Sequence, residues 1–139
     1  MTSRESIPVP LQLTLSGSTA IHDATAAARD FAESGGVDEA DVSRLAVVVE
    51  ELVMNLYDHG DVGPEDEITV DLSLTEVDLR LALTDFGQSF DPGSADNGDL
   101  PQRGGGAGLK LVRAWASQIR YQSADGRNQL VVHLPVHRA

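Results

Sequence analysis

Cysteine is absent from the chain, which removes disulfides, thiolate zinc sites and cysteine nucleophiles together and suits a reducing cytoplasm. Long apolar runs are absent too: nothing approaches the roughly 20 residues needed to cross a bilayer. Met1–Pro10 has no basic stretch followed by an apolar one, so no secretory signal and no membrane attachment are expected. Aromatic residues make up only 4% of the chain, and the core must be built mainly from Leu, Val, Ala and Ile. Basic residues are few: 10 Lys and Arg face 22 Asp and Glu, for a formal net charge of -12. That balance disfavours partners held through the phosphates of nucleic acid or of anionic lipid. It serves solubility, or attracts a basic protein partner, and composition does not separate the two.

What is present fits one folded domain. A chain of 139 residues with 41% hydrophobic residues can bury a working core, and no internal repeat or long linker divides it. Val9–Leu15 alternates apolar and polar residues as a half-buried strand does. Ser16–Ser18 offers a turn and cap before an alanine-rich helix over Ala20–Glu33, which Gly35 and Gly36 stop. Asp38 and Asp41 are spaced as a capping box, opening a long helix from Glu39 to about His59 that Gly60 and Pro64 close. Two strands follow, Glu67–Leu74 and Val77–Thr84, turning at Thr75–Glu76. Asp85–Gly106 is crowded with Gly, Asp, Pro, Asn and Ser and reads as a long functional loop. Helical spacing returns over Ala107–Ser117, with Leu111, Val112 and Trp115 on one side. Ile119–Ser123 and Leu130–Val136 are strands joined by the turn Asp125-Gly126-Arg127-Asn128. This order predicts an α+β fold, a two-layer sandwich with helices on one face of a mostly antiparallel sheet.

Three features bear chemistry. On the long helix, Val42, Leu45, Val49, Leu52, Val53 and Leu56 share one arc, and Glu51, Asn55 and His59 form a polar stripe beside it. Alone, such a stripe is usually a solvated edge. Thr84-Asp85-Phe86-Gly87 ends an apolar strand; an Asp there can accept a ligand's hydrogen bond, and Gly87 admits a flat ring close to the backbone. Alone, it is ordinary turn chemistry. Arg103-Gly104-Gly105-Gly106-Ala107-Gly108-Leu109-Lys110 leads into a helix, and free N–H groups at a helix start cradle phosphate. No Gly-Lys-Ser/Thr follows, so the run is not a P-loop. Taken in order, the three supply each part that Mg-ATP needs. Asn55 offers an oxygen to Mg²⁺, Asp85 reads the adenine amine, and the glycines hold phosphates.

These stretches resemble the motifs of the GHKL (histidine-kinase-like) ATPase superfamily, and specifically the anti-sigma factor serine/threonine kinases of bacterial partner-switching systems. The resemblance runs from about Leu11 to Val136. Glu50–Gly60 is similar to the family's N box, Leu83–Pro92 to its first glycine box, and Gly104–Leu111 to its second. Ser89 stands where the first glycine box usually has a second glycine.

The resemblance implies a Bergerat-type ATP-binding fold and a lid over about 91–103. It implies Glu51 as the catalytic carboxylate that orients or deprotonates the attacking hydroxyl, and Asn55 as the Mg²⁺ ligand. Asp85 and Gly87 would sit at adenine, and Arg103, Gly104, Gly106, Gly108, Leu109 and Lys110 around the phosphates. The implied function is a cytoplasmic, homodimeric anti-sigma regulatory factor that binds a sigma factor and phosphorylates a small STAS-type antagonist. Two other readings remain open: a docking module that uses ATP as a structural ligand, and a separate ATPase domain of a split two-component system.

Overall fold

A computed structural model describes residues 7–58, 62–86 and 105–138, with the side chains of 105–109 outside that description. The element order is β1 (Leu11–Leu15), α1 (Ala20–Ser34), α2 (Glu39–Asp58), β2 (Ile68–Leu74), β3 (Asp78–Asp85), α3 (Gly105–Trp115), β4 (Gln118–Ala124) and β5 (Arg127–Pro135). The strands form one sheet in the order β1-β2-β3-β5-β4, each antiparallel to its neighbours.

Alternation decides which face of the sheet meets the helices. Ile68, Val70, Leu72 and Leu74 are buried on β2, and the register sets Val70 beside Leu83 and Leu72 beside Leu81. Leu130, Val132 and Leu134 continue the same face on β5. Against it pack Ala24, Ala28, Phe31 and Ala32 of α1, the Val42–Val53 arc of α2 and Val112 of α3. Each fully buried Leu or Val contributes about 2 kcal/mol. The small alanines of α1 let that helix lie close in, as their complete burial requires.

Several local expectations give way to longer-range contacts. No side-chain cap opens α1; its N-cap is Thr19, and Ala20 N–H donates to the Gly17 carbonyl at 3.1 Å. The Asp38/Asp41 capping box does not form, because the C-terminal segment takes both groups. Asp38 N–H donates to the His137 carbonyl at 2.7 Å. Asp41 Oδ2 accepts from His137 N–H at 2.7 Å and its Nδ1 at 3.0 Å, while Oδ1 accepts from Arg44 at 2.8 Å. α3 starts at Gly105 rather than Ala107 and ends at Trp115, so the glycines lie inside its first turn. Leu111 is 40% exposed and does not share the buried side of Val112.

The β4–β5 turn is shorter than the sequence suggested. Asp125 and Gly126 alone make it, with φ of 56° and 75°, the paired positive values of a two-residue type I′ hairpin. Arg127 and Asn128 therefore belong to β5.

Candidate functional site

Helix and strand directions gather the motifs. Leu45 of α2, Leu79 of β3 and Trp115 of α3 line one cavity of about 260 Å³. From there α2 climbs about 15 Å to Asn55 and β3 about 20 Å to Asp85. α3 runs the other way, so its start lies about 15 Å from the cavity. Asn55, Asp85 and the start of α3 thus all lie away from this cavity, which sits beside the Asp41–His137 contacts and is not the site that these motifs describe.

Asp85 ends β3 on the helix-facing side of the sheet and is 4% exposed. Its register partner across the ladder is Asn128, 3% exposed. Asn128 Nδ2 donates to Asp85 Oδ1 at 3.0 Å, and its Oδ1 accepts from Ser123 Oγ at 2.6 Å and Tyr121 OH at 3.3 Å. A buried carboxylate is costly unless such donors hold it. The network therefore fixes Asp85 at the sheet's end with its orientation set from behind.

Glu51 and Asn55 stand one turn apart on α2. Asn55 is 3% exposed, and its Nδ2 donates to the Glu51 carbonyl at 2.8 Å. With the NH₂ so engaged, Oδ1 is the side chain's remaining hydrogen-bonding atom, a hard acceptor oxygen. Glu51 Oε1 is buried with no hydrogen-bond partner among the described residues. Burial pushes its carboxyl above the usual carboxylate range, and the adjacent Glu50 adds to the rise. A buried polar atom left without a partner marks a place where a donor or proton belongs.

Asn55 and Asp85 are thus buried polar groups, and Glu51 is half-buried one helical turn before Asn55. Gly106, Gly108 and Leu109 lie in α3, and Lys110 is exposed on it. Gly87, Arg103, Gly104, His59 and the lid segment 91–103 lie outside the described residues.

Asn128, with Ser123 and Tyr121 behind it, is the element that sequence reading missed. Its signal was available: an Asp-Gly I′ turn followed by alternation through Leu130, Val132 and Leu134 puts Asn128 on the inner face. The other histidines have local partners. His22 meets Asp23, His133 meets Asp78 at 3.0 Å, and His137 meets Asp41.

The donor set suits a magnesium ion better than an all-protein metal cage. Among the described residues no group of three or more His, Cys, Asp or Glu converges as a metal site. Mg²⁺ takes few protein ligands, keeps waters and accepts substrate phosphates, and the side-chain oxygen of Asn55 is one donor of that kind.

Comparison with known proteins bears on the family and the fold. The family model described as a histidine kinase-like ATPase domain matches residues 16–134. Among curated proteins none matches the sequence. The RsbU and RsbW domains of Rv1364c from Mycobacterium tuberculosis align with a TM-score of 0.70 and 21% identity, over 95% of this chain and 34% of that one. The chain thus spans about a third of the length of that relative. The SiaB-SiaC complex from Pseudomonas aeruginosa aligns with a TM-score of 0.59 and 13% identity, over 96% of this chain and 92% of the matched one. At these identities the two structures share the fold. No helix among the described residues is long and apolar enough to cross a membrane. With the match spanning 119 of its 139 residues, positions 16 to 134, the chain belongs to the histidine kinase-like ATPase domain family.

Proposed function

We propose that the chain is an anti-sigma regulatory factor that binds Mg-ATP and transfers the γ-phosphoryl group to a serine or threonine hydroxyl of a small antagonist protein. The observation that carries this reading is Glu51. Its Oε1 is buried without a partner among the described residues, one helical turn from Asn55, and burial raises its carboxyl above the usual range, as befits a general base. A structural glutamate on a solvated helix edge would have neither property.

Asp85, held by Asn128, accepts from the adenine amine, and an ionised acceptor that cannot donate gives that contact its selectivity. The first-turn N–H groups of α3 around Gly106 and Gly108, with Leu109 behind them and Lys110 near by, receive the phosphates. Gly87, Arg103 and Gly104 complete the proposed set. Asn55 Oδ1 would hold Mg²⁺, which when bound offsets phosphate charge. Glu51 orients the attacking hydroxyl and takes its proton as the new oxygen–phosphorus bond forms and the bond to the ADP oxygen breaks. Most of the rate comes from positioning and electrostatics, as in phosphoryl transfer generally.

The regulatory part of the reading draws on the family and on the named folds that align with the chain, an RsbW domain and a protein of the SiaB-SiaC complex. A STAS-type antagonist as phosphoacceptor, a sigma factor as the alternative partner, a homodimer and a cytoplasmic setting follow from it. The test is transfer of labelled γ-phosphate to the antagonist by wild type and Glu51→Gln. Loss of transfer with nucleotide affinity kept supports a kinase; equal transfer by both proteins refutes the role of Glu51.

A further inference from the structure

The β3, β5 and β4 part of the sheet face turned away from the helices gathers three arginines, in a chain of net charge -12. Arg80 on β3, Arg120 on β4 and Arg127 on β5 all project from it, by the register that pairs Arg80 with His133 and Arg120 with Val131. Among the described residues none of the three has an ion-pair or hydrogen-bond partner. They belong to a chain in which carboxylates outnumber Lys and Arg by 22 to 10. The carboxylates nearest in the sheet are engaged: Asp71 accepts from Gln12 at 2.7 Å, and Asp78 from Thr75 at 2.8 Å. Among the described residues, Asp125 in the turn is the acidic residue that lines the two depressions on this face.

The relief matches the charge. Two depressions of about 290 and 320 Å³ adjoin there, sharing Gln122 and Gln129 as common walls. Arg80 and Arg120 border the first, and Arg127 and Phe86 the second. Phe86 is 69% exposed at the rim, an aromatic anchor of the kind protein interfaces use. The trough crosses toward β4, which is the edge strand of the sheet and carries backbone groups without a neighbouring strand.

We propose that this face docks an acidic, extended segment of a protein partner, its carboxylates on Arg80, Arg120 and Arg127 and an apolar side chain on Phe86. Charge complementarity selects the partner, because the surrounding negative field repels any segment without a local reason to settle. The same field disfavours nucleic acid, whose affinity rests on many phosphate contacts. An extended chain suits a shallow trough beside a free strand edge better than a folded body does. The surface lies on the opposite side of the sheet from Asp85, so its loss leaves nucleotide binding in place.

The test uses the full chain and a fluorescent synthetic peptide of Glu and Asp interspersed with Leu, followed by anisotropy across a salt series. A Lys- and Arg-rich counterpart and a single-stranded DNA oligomer serve as competitors. The peptide is expected to bind and to weaken as salt rises. Combined Arg80→Gln, Arg120→Gln and Arg127→Gln should weaken it about tenfold, while Arg29→Gln on α1 should not change it. If the triple variant fails to fold by circular dichroism, Arg120→Glu alone on the exposed edge strand reads the same loss. Absence of peptide binding, indifference to these substitutions, equal binding of the basic peptide, or tighter binding of the oligomer overturns the proposal. A dimer seen by sedimentation that the triple variant dissociates also overturns it, by assigning the face to a second copy.

Discussion

Replacing Asn128 by alanine should injure both the fold and the nucleotide site. The side chain is 3% exposed, donates to Asp85 and accepts from Ser123 and Tyr121. Its loss removes a hydrogen bond to a charged group, worth about 1.5–3 kcal/mol, and takes one acceptor from the Ser123 and Tyr121 hydroxyls, each about 0.5–1.5 kcal/mol where water cannot substitute. Some water will enter, so the net cost should be about 3 kcal/mol, or a fall in Tm on the order of 10 °C for a domain of this size. Thermal and urea unfolding of wild type and variant measure it. Asp85, no longer held from behind, should also lose about tenfold in ATP affinity by calorimetry. Asn128→Asp sharpens the logic by setting two buried carboxylates together, and it should destabilise the protein at neutral pH as well. A variant as stable as wild type with unchanged affinity would show that Asn128 does not position Asp85.

Three further outcomes follow from the geometry. With Glu51 raised by burial and by Glu50, the acid limb of the wild-type phosphoryl-transfer profile should lie above the ordinary glutamate value of about 4.3; an acid limb at or below the ordinary value contradicts the raised carboxyl. For Asp41, burial works to raise the carboxyl, but hydrogen bonds from His137 and Arg44 outweigh it, so it sits below its usual range. Its contribution is full above the unfolded value of about 3.9 and is lost as pH falls through the lowered folded value; acid titration should show Asp41→Asn losing this dependence, at a cost of about 2 kcal/mol at neutral pH. Gly126 has φ of 75° and nothing within 4 Å of an added Cβ, so Gly126→Val should cost about 1–2 kcal/mol through backbone strain alone, measured by urea unfolding, whereas a neutral result would contradict the I′ turn.

Much of this fold was legible because its sheet is half buried. Alternation through Ile68–Leu74 and Leu79–Leu83 reports burial directly, and the long apolar arc of α2 does the same at helical spacing. The motif residues Glu51, Asn55 and Asp85 stood out as candidates because their types and order are unusual together. What escaped was set by contacts distant in sequence. Asp41 looks like a local cap until a histidine 96 residues away claims its carboxylate. Asn128 looks like turn polarity until a strand 43 residues earlier places Asp85 opposite it. The cationic outer face escaped for a similar reason, since Arg80, Arg120 and Arg127 share a surface only once the register is known.

Titration calorimetry of the purified chain with ATP and magnesium tests the central claim most directly. Saturable binding of one nucleotide per chain, weakened without magnesium and lost in Asp85→Ala, is the predicted result. Heat no greater than dilution for the wild-type protein would contradict the account at its root.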